Sequence, residues 1–331
     1  MTIDWILVAA TFGIGIVVGL TGMGGGALMT PVLVLFFNIP PLTAVSSDLV
    51  AAAVMKPVGS VVHLRRGTVN LPLVKWLAIG SVPAAFCGVL VARAMGSGQA
   101  VQDGIQVALG VALLVAAAGL TVRAFLRLVE RAKVRDGRAA PLPQDRPDVT
   151  VRVVPTVIVG AVGGIVVGIT SVGSGSLIII ALMALYPALK ASQLVGTDLV
   201  QAVPLVAAAA IGHILFGDFQ LSLTLSLLIG CVPGAWLGAR ISSRAPGGLV
   251  RRALAFVLLA SALKLLGVPT LTTGIVLVVV LLAAPLVWFV VRRHYGFPGF
   301  VDRQAAKARR AAKAEREREP AGQDAGGPSG R

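Results

Sequence analysis

A glycine-broken apolar stretch occurs twice in this chain. Gly15 to Leu28 reads G-I-V-V-G-L-T-G-M-G-G-G-A-L, and Gly164 to Leu177, 149 positions later, reads G-I-V-V-G-I-T-S-V-G-S-G-S-L. At an offset of 150 the correspondence continues, with Val45 to Val50 (V-S-S-D-L-V) against Val195 to Val200 (V-G-T-D-L-V), then His63 and His213, and Gly67 and Gly217. It runs on through Gly80, Pro83 and Gly88 against Gly230, Pro233 and Gly238. Whatever fold the chain adopts must set two like halves against each other, each interrupted at the same point.

The halves are built for lipid. Hydrophobic residues make up 56% of the chain and charged residues 13%, and the mean hydropathy is +0.89. Continuous apolar stretches of about 20 residues point to membrane-spanning helices; the strict alternation that a membrane strand requires is absent. A formal charge of +15 is spread between apolar segments and into the tail, where orientation signals belong, so no nucleic-acid partner is expected. Cys87 and Cys231 lie inside apolar segments and do not match in the repeat, which reads as small apolar filling, not a disulfide. No basic region precedes the first apolar segment and Asp4 stands where Lys or Arg would be expected, so that segment is expected to be retained, not cleaved.

Apolar segments fall at about 5–20, 26–37, 44–63, 71–93 and 103–125, and, after a polar stretch, at about 153–169, 175–187, 192–215, 220–241, 248–266 and 270–292. Lys and Arg concentrate at Arg123 to Arg152, Arg240 to Arg252, and Arg292 onward, and all three zones are expected on the cytoplasmic side. If 153–187 crossed the membrane once, the second zone would lie outside. A hairpin of two helices meeting at T-S-V-G-S-G, entering and leaving on one side, removes the conflict. The first half, treated alike, starts outside and brings Arg65 and Arg66 inside, so the two halves face opposite ways.

The chemistry follows from these breaks. Glycines hold helical conformation poorly and let backbone approach backbone or ligand. The helix that begins near Gly26 turns its free N–H groups and positive dipole end toward mid-membrane, a ready anion site, and the second copy adds hydroxyl donors at Ser174 and Ser176. Close packing of small residues would explain either copy alone; glycine breaks at matching places in opposed repeats favour a substrate site. Its expected lining is Thr21, Gly22, Gly24, Gly25 and Gly26 with Thr170, Ser171, Gly173, Ser174, Gly175 and Ser176.

Asp48 and Asp198 are matched carboxylates in apolar surroundings, where an ionisable group is costly. They read as proton carriers, cation ligands or acceptors for the hairpin's free N–H groups, or else as helix caps near the membrane surface; Ser47 and Thr197 accompany them as coupling or gating residues. Lys56, eight residues after Asp48 and two turns along the same face, has Val206 as its counterpart. It breaks the symmetry and can either neutralise an anionic substrate or pair with Asp48. His63 and His213, at the far ends of their helices, read as interface histidines bonded to backbone. No metal-ligand cluster, nucleophile with an adjacent base, or phosphate-binding loop is evident, so neither an enzyme nor a cofactor is expected.

These residues resemble the sulfite exporter TauE/SafE family of bacterial membrane proteins. The resemblance rests on Gly22-Met23-Gly24-Gly25-Gly26 with Pro31 downstream, on Val45-Ser46-Ser47-Asp48-Leu49 and its twin Val195-Gly196-Thr197-Asp198-Leu199, and on the run Lys56, Gly59, His63, Arg66, Gly67 and Val69. It covers about residues 5–265. It implies a secondary transporter of small, often sulfur-containing anions such as sulfite or sulfonates, usually moved outward, with the glycine breaks and both aspartates lining the pathway. The chain departs from the family pattern at Val45-Ser46-Ser47 and at Asn70-Leu71.

The expected fold is an all-α polytopic membrane protein of two inverted repeats, each a glycine-broken hairpin plus three transmembrane helices, with one extra C-terminal transmembrane helix. Residues 1–125 form the first repeat, 126–152 a basic cytoplasmic linker, 153–292 the second repeat and final helix, and 293–331 a basic, largely disordered cytoplasmic tail. The expected function is alternating-access, possibly proton-linked, permeation of a small anion across the bacterial plasma membrane. A passive anion channel and a membrane scaffold with a basic tail are the alternatives. The partners are the anion and membrane lipid; the oligomeric state is open, a homodimer among the options.

Overall fold

The computed structural model describes residues 3–21, 25–94, 98–136, 149–173, 175–189, 191–241 and 247–295. These hold the helices α1 (Trp5–Thr21), α2 (Gly26–Phe36), α3 (Pro41–Arg65), α4 (Leu71–Ala94), α5 (Gln99–Arg135), α6 (Val153–Thr170), α7 (Leu177–Leu185), α8 (Ala191–Phe216), α9 (Leu221–Ile241), α10 (Gly247–Leu265) and α11 (Thr270–His294). In hydrocarbon every backbone polar group must find its partner within the segment, which only helices do in a chain of continuous apolar runs. Met1–Phe125 with Pro141–Leu277 form one compact unit, and Leu126–Ala140 with Val278–Arg331 a second. In the second unit, the α11 side chains Leu282, Leu286 and Val290 are exposed.

Among the described residues, seven helices are long and apolar enough to cross a membrane: α3, α4, α5, α6, α8, α9 and α11. The helix α6, expected as one arm of a hairpin, meets that measure with 18 residues, whereas α7, at 9 residues, is far short of the roughly 20 that a span needs. The expected full span at 248–266 is absent from the seven, because Arg251, Arg252 and Lys264 dilute its apolar run. The helix α5 runs ten residues into the stretch expected as linker, since L-R-L-V-E-R-A-K-V-R is polar but made of good helix formers. The rest of that linker from 137 to 148, and the tail from 296 onward, lie outside the described residues.

Two close-packed seams join the halves. Along α1 and α9, a Cβ added at Gly230, Gly234 or Gly238 would collide with the carbonyl oxygens of Val8, Phe12 and Ile16 in turn. Along α4 and α6, Gly160, Gly164 and Gly168 meet the carbonyls of Leu77, Ser81 and Ala85 in the same way. Both registers climb together by four residues, so each pair runs parallel, and small residues let the backbones approach. The repeat equates α1 with α6 and α4 with α9, so exchanging the halves turns one seam into the other.

The equivalent helices α3 and α8 also pack against each other, but antiparallel. Ser46 Oγ lies 2.8 Å from His213 Nδ1 at one end, and Ser60 Oγ donates to the Leu199 carbonyl at 2.9 Å at the other. A buried apolar cluster of Val45, Leu49, Leu77, Ile178, Leu182 and Leu205 fills the centre from both halves.

Candidate functional site

The second interruption is built by local backbone chemistry. The helix α6 ends where Ser171 takes a left-handed conformation (φ 58°) and its N–H bonds back to the Val167 carbonyl at 2.8 Å, a helix stop of the αL kind. Thr170 Oγ1 donates to the Val166 carbonyl at 2.6 Å and accepts the Val172 N–H at 3.1 Å, which fixes the break. Gly173 and Gly175 have φ of 136° and 98°, values that side-chain-bearing residues rarely adopt. Ser176 then opens α7 with its hydroxyl buried and without a hydrogen-bond partner.

At the first interruption, Gly25 starts α2 and its carbonyl accepts the N–H groups of Leu28 and Met29 at 3.0 and 2.9 Å. Gly22, Gly24 and Ser174 lie outside the described residues, as does the side chain of Thr21, the last residue of α1. What is described suffices to bring the two breaks together. A Cβ at Gly26 would strike the backbone carbonyl of Ser171, so the start of α2 abuts the end of α6.

Both aspartates are held by this junction. Asp48 is buried and its Oδ2 accepts two hydroxyls, Thr30 Oγ1 at 2.7 Å and Ser171 Oγ at 2.8 Å. Asp198, equally buried, accepts the backbone N–H of Gly175, and its Oδ1 has no hydrogen-bond partner. Asp48 sits two residues from the Ser46–His213 end of the α3–α8 contact, and Asp198 one residue from the Leu199–Ser60 end. The loop from Ser171 to Gly175 thus reaches from one carboxylate to the other. Lys56 is buried within electrostatic reach of both, Asp198 the more strongly, and Arg123 of α5 is a further cation for Asp198. Asp198 thus takes a hairpin N–H group, whereas Asp48 takes hydroxyls.

Ser47 and Thr197 each accept a backbone N–H from the opposite half. Thr197 Oγ1 accepts the Asn70 N–H ahead of α4 at 3.0 Å, and Ser47 Oγ accepts the Gln220 N–H ahead of α9 at 3.4 Å. These two bonds are equivalent under the repeat and tie each half to the start of a helix in the other. His213 is fully buried, with Nε2 2.7 Å from the Gly168 carbonyl. His63 is half-buried and stays local, its Nδ1 2.9 Å from Thr68 Oγ1.

The model of the sulfite exporter TauE/SafE family matches residues 7–265. The chain belongs to that family. It is 39% identical over 254 residues to the probable membrane transporter protein YjnA of Bacillus subtilis (strain 168), an alignment covering 76% of this chain and 96% of that relative. It is 26% identical over 251 residues to the probable membrane transporter protein YdhB of the same organism, covering 75% and 94%. No solved structure matches significantly. The matched segment spans every site residue named above.

The sequence reading missed Thr30, Arg123 and Gln201. Thr30 sits inside an apolar run, and Ile179 holds its place in the second half at the offset that relates Gly26 to Gly175. Arg123 was counted with the basic zone that follows, yet it is buried. Gln201, one turn after Asp198, bonds Ser81 through Nε2 at 2.5 Å. A buried amide three residues from a buried carboxylate was the one signal available for it.

Proposed function

We propose that this chain is a secondary transporter that moves a small anion, such as sulfite or an organosulfonate, across the bacterial plasma membrane by alternating access. The observation that carries this reading is the junction of the two interrupted segments, Gly26 against Ser171, between two buried carboxylates and beside a buried lysine. The anion would lie where α2 and α7 begin, with backbone N–H groups near Gly25 to Ala27 and Gly173 to Ser176 and the Lys56 ammonium as its partners. A positive charge taken up at a carboxylate, a proton in the simplest case, would balance the charge of the anion.

The inverted arrangement is part of the reading. Were the halves related by an axis along the membrane normal, the equivalent helices α3 and α8 would run the same way; they run antiparallel, which favours an axis in the membrane plane. The repeats are then 1–125 and 153–292, joined by a basic linker at 126–152, with a basic tail at 293–331 on the cytoplasmic side. Rocking of one repeat against the other would expose the junction to each side in turn. The sulfur-containing substrate is inferred from the family description alone.

Purified protein in proteoliposomes tests this with radiolabelled sulfite and a panel of small oxyanions. Saturable flux with counterflow is expected, and flux without counterflow would replace the transporter with a passive pore. Lys56→Met should weaken anion affinity at least tenfold. Undiminished flux in both Asp48→Asn and Asp198→Asn would remove the carboxylates from the coupling step.

A further inference from the structure

Three buried oxygens near the second interruption have no hydrogen-bond partner: Asp198 Oδ1, Gln201 Oε1 and Ser176 Oγ. Their residues are 1%, 0% and 4% exposed, so water in bulk does not serve them. Two links relate their residues. Asp198 accepts the N–H of Gly175, the residue before Ser176, and Gln201 follows Asp198 by three positions on α8, on the same face of the helix. Ser176 Oγ could donate to either acceptor were it close enough, and it bonds neither.

Buried polar atoms without a protein partner are rare and costly in native proteins, and binding of an ion is one recognised way of satisfying them. Neither oxygen of the equivalent carboxylate, Asp48, is among these atoms, and its Oδ2 accepts both Thr30 and Ser171. One proton on Asp198 would create one donor and satisfy a single further acceptor. Three oxygens from three residues, one anionic and two neutral, make instead a set of hard donors of the kind that binds alkali and alkaline-earth cations. A divalent ion is disfavoured by having only one carboxylate, with Lys56 and Arg123 already in electrostatic reach of it.

We infer that Asp198, Gln201 and Ser176 form a binding site for an alkali-metal cation, Na+ or K+, which ties the start of α7 to α8. This deepens the reading of the junction as a transport site, because a cation bound there supplies the charge that an incoming anion needs. The full chain, purified in nanodiscs, is to be unfolded by heat at fixed pH and ionic strength while choline chloride is replaced by NaCl or KCl. The expected result is a saturable rise in Tm with one of these ions, absent in Asp198→Asn, shifted at least tenfold in midpoint concentration in Ser176→Ala, and intact in Asp103→Asn, whose carboxylate lies on the exposed start of α5. No ion-specific rise in the unaltered protein, or the same rise in Ser176→Ala and Asp198→Asn, overturns the site. The series is repeated in choline chloride at a second, lower pH, and a rise that appears there while Na+ and K+ have no effect overturns the site in favour of a proton. Should Asp198→Asn fail to fold, Ser176→Ala decides alone. The readout is binding, so loss of the transport reading leaves it standing, and its own failure leaves anion flux untouched.

Discussion

Asp48 shows what a carboxylate at membrane depth demands. It is 1% exposed, and two hydroxyls converge on a single one of its oxygens. Removing a hydrogen-bond donor from a buried charge leaves desolvation uncompensated, at a cost of about 1–3 kcal/mol. Thr30→Val, which keeps the shape of the side chain and deletes only the hydroxyl, should therefore destabilise the protein by about that amount, as should Ser171→Ala. Because both donors serve one oxygen, each single variant leaves the other hydroxyl to compensate, so the double variant should cost more than the sum of the singles, which a thermal or denaturant cycle on detergent-purified protein measures. Fully additive effects would mean that the two hydroxyls do not share Asp48. Much of this site was legible at the level of single residues: charge in an apolar segment marked Asp48, Asp198 and Lys56, and the glycine breaks marked Gly26 and Ser171. Thr30 was not, because a hydroxyl in an apolar helix carries no charge signal and its repeat partner, Ile179, has none to match.

Helices in this protein are joined by what glycine lacks. On the α4–α6 seam, a Cβ at Gly164 would run into the backbone of Ser81, and no side-chain rotation can clear a backbone atom. Gly164→Ala should thus push α4 and α6 apart and lower the thermal midpoint sharply, and Gly234→Ala should do the same to the equivalent α1–α9 seam. Gly13 of α1 is the contrast: nothing lies within 4 Å of an added Cβ there, so Gly13→Ala should hold or raise stability by roughly 0.5–1 kcal/mol through helix propensity. A thermal series on the three variants checks the order; equal effects at Gly13 and Gly164 would refute the seams. The sequence shows that Gly80 and Gly230, or Gly88 and Gly238, are equivalent, but equivalence is not contact. That α4 lies on α6 and α1 on α9, each against the opposite half, follows from backbone packing that a pairwise repeat does not encode. Charge at the end of the apolar run near 125 likewise does not mark the end of α5, since Ala, Leu, Arg and Glu continue the helix in a polar register to Arg135.

At the scale of the whole molecule, the orientation of the halves is the property on which alternating access depends. The turn after α3 (Arg66 to Asn70) and the turn after α8 (Gly217 to Gln220) are equivalent under the repeat, and each binds the opposite half through Thr197 and Ser47 respectively. Basic residues discriminate between them: Arg65 and Arg66 precede the first turn, while the second carries Asp218 and no Lys or Arg. By the positive-inside tendency the first is expected in the cytoplasm and the second at the outer face. The antiparallel course of α3 and α8 fits that assignment, since parallel equivalents would put both turns on one side. Single cysteines at Arg66 and Asp218, in a background with Cys87 and Cys231 replaced by alanine, report the outcome through a membrane-impermeant maleimide. In intact cells Asp218→Cys should label and Arg66→Cys should not, and in inside-out vesicles the pattern should reverse. Labelling of both from one side would place the two halves in the same orientation, and the junction of Gly26 with Ser171 could not then be opened to each side in turn by one repeat rocking on its inverted counterpart.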